Sequence, residues 1–108
     1  MLGNMSTLTR LQDWYAHQCD GEWEHSSGVI IESTDNPGWW VKVNLVGTPL
    51  QTRYFAEVAE NVNTQHFSLS SSWLNCHVEN GIWHGAGDET KLERIIDLFL
   101  LWAEANTT

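Results

Sequence analysis

The dipeptide Asn80-Gly81 constrains this 108-residue chain more than any other feature. Both residue types tolerate positive φ, so the pair favours the type I′ turn whose twist matches a β-hairpin. A two-residue loop sets the register: Glu79 opposite Ile82, Val78 opposite Trp83, His77 opposite His84. Opposed residues share a face. Leu74, Cys76, Val78 and Trp83 are therefore expected to point into a core. Asn75, His77, Glu79, Ile82 and His84 are expected to point away from it.

Strand signals continue upstream. Gly28 to Thr34 is β-branched, and Asp35-Asn36-Pro37-Gly38 is turn chemistry throughout. In residues 39–47, Trp39, Val41, Val43 and Leu45 alternate with Trp40, Lys42 and Asn44, the pattern of a half-buried antiparallel strand. Gly47-Thr48-Pro49 turns the chain again. Residues 51–58 read as a third strand, with helical character near Ala56–Glu60, and the polar stretch 61–71 reads as loop.

Helices are expected at both ends. Ser6 or Thr7 can cap the first, running to about Gln18 with Leu8, Leu11, Trp14 and Tyr15 as its stripe. Asp20-Gly21 should stop it, and Trp23 should roof the core. Asp88 can cap the second, where Leu92, Ile95, Ile96, Phe99, Trp102 and Ala103 recur at helical spacing. The expected architecture is one α+β domain over residues 1–108. An antiparallel sheet of about five strands, arranged as a meander, would carry the N-terminal and C-terminal helices on one face. Its open face would then present Trp40, Lys42, Asn44, Trp73, Asn75, His77 and His84.

Charge narrows the partner. Fourteen acids against five Lys and Arg give a net charge of −9. Nucleic acid and anionic membrane both demand positive surface, so neither is an expected direct partner. No Lys or Arg falls between Arg10 and Lys42, whereas Asp13, Asp20, Glu22, Glu24, Glu32 and Asp35 do. That stretch is either a solvated acidic surface or a patch facing a basic partner. Seven tryptophans in so small a chain suggest that some serve as interface anchors. No apolar run is long enough for a signal peptide core or a membrane span, and the cytoplasm is the expected compartment. Cys19 and Cys76 are expected there as thiols.

Chemistry-bearing spacings are sparse. His77 and His84, with Glu79 diagonal to them, are two ligands where a catalytic zinc usually takes three. His17, Cys19 and His25 form a loose group with no recognised spacing. There is no HExxH, GxSxG or phosphate-cradling glycine loop. GAGDET, residues 85–90, brings glycines to a helix start, but Asp88 and Glu89 repel phosphate there. Cys76 should lie on the core side of its strand, where a thiol is inert. No cofactor, metal or catalytic residue is therefore assigned.

One segment carries a resemblance. LQDWYAHQCDGEWEHSSGVIIESTDNPGWWVKVNLVGTPL, residues 11–50, resembles the immunity protein 53 family of bacterial polymorphic toxin systems. Trp14, Tyr15, Gln18 to Gly21, Trp23 to His25, Gly28 and Asp35 to Trp39 stand in the family's register. Trp73 to Cys76, Gly85-Ala86-Gly87 and FLLWA, residues 99–103, are also similar; Ser33-Thr34 departs from the Thr-Leu common there. The resemblance implies a protein that binds a cognate toxin domain and neutralises it in the producing cell; a 1:1 heterodimer with the toxin's C-terminal domain is the expected form. It brings no catalytic residues.

The combined expectation is a non-enzymatic inhibitor that occludes the active site of a nuclease toxin, an RNase by preference, because acidic surface complements a phosphate-binding cleft. Candidate toxin-binding residues are Asp20, Glu22, Glu24, Glu32, Asp35, Trp40, Trp73, His77 and His84. The alternatives are a small metal-dependent hydrolase using His77 and His84, and an acidic protein-binding adaptor. The CDGEWEH and DNPGW segments also have plain backbone explanations as fold determinants.

Overall fold

Asn80 and Gly81 adopt φ of 55° and 76°, as the type I′ turn requires. They join β4 (Leu74–Glu79) to β5 (Ile82–Gly87) in the expected register, with His77 opposite His84 and Val78 opposite Trp83. The computed structural model describes residues 5–26, 28–62 and 72–106. Most of the polar stretch 61–71 lies outside the described residues.

Residues 29–44 form a second hairpin, β1 (Val29–Thr34) and β2 (Gly38–Asn44), across the Asp35-Asn36-Pro37 turn. β3 (Val58–Glu60) completes a five-stranded antiparallel sheet of order β1-β2-β5-β4-β3. The pairing is antiparallel as expected, but the meander is not: β5 pairs with β2, and β3 occupies the far edge beyond β4.

The third strand also differs. Pro49–Thr52 forms a 3-10 turn, capped by the Thr48 hydroxyl accepting from the Leu50 amide at 3.1 Å. The chain enters the sheet only at Val58, so the expected strand 51–58 and the helical character near Ala56–Glu60 are both corrected. Proline at the first position of the turn is pre-set for helical φ, and the cap completes it.

α1 (Thr7–Gln18) starts at Ser6, whose hydroxyl accepts from the Thr9 amide. It buries Leu11 and Trp14, while Leu8 and Tyr15 are exposed, so its stripe is narrower than the sequence suggested. α2 (Leu92–Ala105) buries Ile95, Ile96, Phe99, Leu100 and Ala103. Each of its large apolar side chains contributes roughly 2 kcal/mol by leaving water. α2 starts later than Asp88 because Asp88 closes its own turn first, accepting from the Thr90 amide and hydroxyl and from Lys91.

α2 lies on β5 and β2, and α1 lies against α2. The close approach depends on Gly85. A Cβ there would stand 2.4 Å from Ile95 Cγ2 and 2.6 Å from the Trp83 ring. The core joins Val41, Val43, Leu45, Leu74, Cys76 and Trp83 from the sheet to both helices. Trp14 bridges it, meeting Trp23 at 5.8 Å and Phe99 at 4.9 Å, both edge to face. Val78, expected in the core, is exposed near the hairpin tip.

Candidate functional site

The sheet face opposite the helices is built as cross-strand rows. The register places Ile30, Lys42, His84 and His77 in one row, and Glu32, Trp40, Ala86 and Asn75 in the next. Ala86 is small, which leaves room for the Trp40 indole to lean across it toward His84. Trp40 donates Nε1–H to His84 Nδ1 at 3.3 Å, and Lys42 Nζ sits 4.3 Å from the Trp40 ring centre. The imidazoles of His84 and His77 stack at 5.0 Å.

Carboxylates flank this aromatic ribbon. Glu32 Oε1 lies 3.5 Å from Lys42 Nζ on one side. On the other, Glu79 lies 3.5 Å from His77 Nε2, and Asn75 donates to Glu57 at 2.8 Å. Trp40 is 37% exposed, so the indole is both held in place and open to a partner. Burial lowers the His84 pKa below its ordinary value, and the neighbouring His77 adds to the effect; Glu79 opposes it.

Sequence-predicted residues divide by position. Glu32, Trp40, His77 and His84 gather on the open face. Asp35 is exposed in the β1–β2 turn. Asp20, Glu22 and Glu24 lie near the opposite end of that hairpin, where Trp23 donates to Asn44 O. The strand between them is about 20 Å long, so these acids do not form one patch with Asp35.

Trp73, expected on the open face, is buried at 8% exposure. It precedes β4, where strand parity no longer dictates direction, and its carbonyl accepts from the Asp88 amide. Trp73 is therefore corrected as an exposed anchor. Glu57 gave no signal as a site residue, because it falls inside the expected strand 51–58, whereas the real strand begins only at Val58.

Asp20 and Glu24 are occupied by the backbone. Asp20 Oδ1 accepts from the Glu22 and Trp23 amides, each at 2.9 Å. Glu24 reaches back to the Asp20 and Gly21 amides at 3.0 and 2.9 Å. Each carboxylate thus accepts from backbone amides at the other's end of the turn. The Trp23 and Glu22 amides lower the Asp20 pKa, and backbone amides beginning with its own lower that of Glu24. Glu22 is exposed and lends the motif only its amide.

The two histidines of the hydrolase alternative do not converge on a point. Their rings are nearly parallel, at 14°, so their lone pairs run side by side. Among the described residues, no group of three His, Cys, Asp or Glu is placed to hold a metal ion. Burial pushes the Cys76 thiol up to about 12, the inert state expected of a core cysteine.

Two cavities, of about 660 and 350 Å³, are lined by α1, α2 and neighbouring residues, and no sequence-predicted site residue lines either. The open face is instead a broad surface of aromatic and charged side chains, which suits a macromolecule better than a small ligand. Four of the five Lys and Arg are engaged by carboxylates: Arg10 by Asp97 and Glu104, Lys42 by Glu32, Lys91 by Asp88, and Arg94 by Glu60. That leaves little positive surface for phosphate. Among the described residues, no helix is long and apolar enough to cross a membrane.

A small acidic α+β domain with exposed aromatic side chains on its open sheet face has the makings of a protein-binding module. The family comparison agrees: the model of Immunity protein 53 matches residues 8–104, and the chain belongs to that family. No curated protein and no solved structure matches it. Membership implies a toxin-neutralising role and a cognate toxin as partner.

Proposed function

We propose that this chain binds the C-terminal domain of its cognate toxin one-to-one in the cytoplasm of the producing cell and covers the toxin's active site. The binding surface is the open sheet face, with Trp40 as anchor, His84 and His77 as its aromatic continuation, and Glu32 as a charged flank. Exposed acids outside the ribbon, Glu22 and Asp35, assist association with a basic surface. The toxin is a nuclease, and an RNase by preference, because a cleft that binds phosphates is basic.

The observation that carries this reading is the exposed Trp40 indole, bonded to His84 on the sheet face opposite α1 and α2, in a chain of net charge −9. Aromatic residues held rigidly in place are the usual anchors of protein interfaces.

Co-expression with its cognate toxin domain tests the proposal. Growth should be rescued, and the two chains should elute as a 1:1 complex. Affinity should fall between low and high salt, as charge complementarity requires. Failure of rescue together with absence of a complex would refute the proposal. A complex indifferent to salt would remove the nuclease-cleft argument.

A further inference from the structure

Among the described residues, β1 is an outer strand of the sheet, paired on one side only. Its ladder phase is fixed by the Asn44 amide donating to Gly28 O at 2.8 Å. Antiparallel pairs alternate between bonded and non-bonded. Gly28 is bonded to Asn44, so the register makes Ile30–Lys42, Glu32–Trp40 and Thr34–Gly38 the bonded pairs. Val29, Ile31 and Ser33 therefore turn their N–H and C=O groups outward, along the free edge.

Natural edge strands are usually protected by charged side chains, Pro, a bulge or shortness. β1 runs VIIEST over six residues in unbroken register with β2, without Pro or a bulge, and its one charge is Glu32, which repels acidic strands and admits a basic one. Ile30 and Ile31 are exposed at 36% and 39%, on opposite faces of the sheet. α2 lies over β5 and β2, which leaves the helix-side face of Ile31 open.

The geometry points to strand addition. We propose that β1 takes up an extended segment of the toxin as a sixth strand, bonded to the outward groups of Val29, Ile31 and Ser33. The period of two sets the segment's composition. An apolar side chain would lie beside Ile31 on the helix side. A Lys or Arg would lie beside Glu32 on the open face, continuous with the Trp40 ribbon.

Charge selects this occupant over a second copy of the chain. Two copies would bring −9 against −9, with Glu32 and the nearby Asp35 of each facing the other's edge. A basic segment gains from the same carboxylates. The inference rests on the toxin-binding reading and specifies how part of the toxin is held.

Residue-resolved amide exchange on the labelled chain, alone and with the toxin domain, tests it. The Ile31 and Ser33 amides should exchange readily in the free chain and about 100-fold more slowly in the complex, while Ile30, Glu32 and Thr34 are protected in both. Ser33→Pro removes an outward donor and no bond to β2, so it should weaken binding by about tenfold or more. Its circular dichroism should be unchanged.

A complex in which Ile31 and Ser33 still exchange freely would overturn the strand proposal and leave toxin binding standing. Absence of any complex would overturn the toxin reading and this proposal with it. Protection that grows with the concentration of the chain alone would assign the edge to a second copy, and would equally overturn it.

Discussion

Trp40 donates its indole N–H to Nδ1 of His84 across 3.3 Å, and that bond requires the neutral form of the histidine. Nδ1 must offer a lone pair, so the ring is neutral with its proton on Nε2. Burial foremost, then His77, lowers the His84 pKa; Lys42 acts in the same direction and Glu79 against it. A depressed histidine pKa contributes stability that is complete above the ordinary value of 6.5 and is lost as pH falls toward the folded value. An imidazole titration followed by NMR should give His84 a midpoint below 6.5, with the Trp40 indole N–H signal moving at the same pH. A midpoint at or above 6.5 would contradict this geometry.

Asp88 should dominate the acid limb of stability. Burial works to raise its pKa, but the Thr90 hydroxyl and amide and the Lys91 ammonium outweigh it and hold the carboxyl at about 2. Its contribution is full above 3.8 and is lost as pH falls toward 2. Asp88→Ala should cost about 2 kcal/mol in urea unfolding at neutral pH. The variant should also lose less stability than the parent between pH 3.8 and 2.

Gly85 should tolerate no side chain. The Cβ of an alanine would meet Ile95 Cγ2 at 2.4 Å, between two packed layers. Gly85→Ala should destabilise by about 2 kcal/mol or more, the cost of an overpacked core. Ile95→Ala relieves one of the two clashes and leaves the Trp83 ring at 2.6 Å, so the double variant should be less destabilised than the two single costs added together but still less stable than Ile95→Ala alone. Simple additivity in thermal unfolding would show that the helix is free to move away.

Within three residues of the CDGEWEH corner, Asp20 is bound by backbone amides and Glu22 is exposed. Asp20→Ala removes the acceptor for two amides and should lower the melting temperature. Glu22→Lys touches no such bond, so it should leave the melting temperature unchanged and slow association with a basic toxin at low salt. The reverse pattern would make Asp20 the partner-facing residue.

Local chemistry explains what was legible in the sequence. Asn80-Gly81 and Asp35 to Gly38 determine their hairpins within a few residues, and strand parity then places Trp40, His77 and His84 together. Ser6 and the α2 stripe locate the helices in the same way. The order β1-β2-β5-β4-β3 was hidden because it depends on which distant strands pair, and no short motif records that. The 51–58 error had a visible signal, Thr48-Pro49, which starts a 3-10 turn rather than a strand. Trp73 was misplaced because alternation fails at a strand's end. Asp20 and Glu24 looked like surface charge, although acids four residues apart can cap each other's backbone.

Affinity for the cognate toxin domain, measured by calorimetry on the parent chain and on Trp40→Ala, tests the central claim most directly. Trp40 lies outside the core and no backbone bond depends on its side chain, so the variant should fold as the parent does. Loss of a hot-spot indole should weaken binding by about 30-fold or more. An unchanged dissociation constant, from a variant of unchanged melting temperature, would place the toxin on another surface and contradict the account.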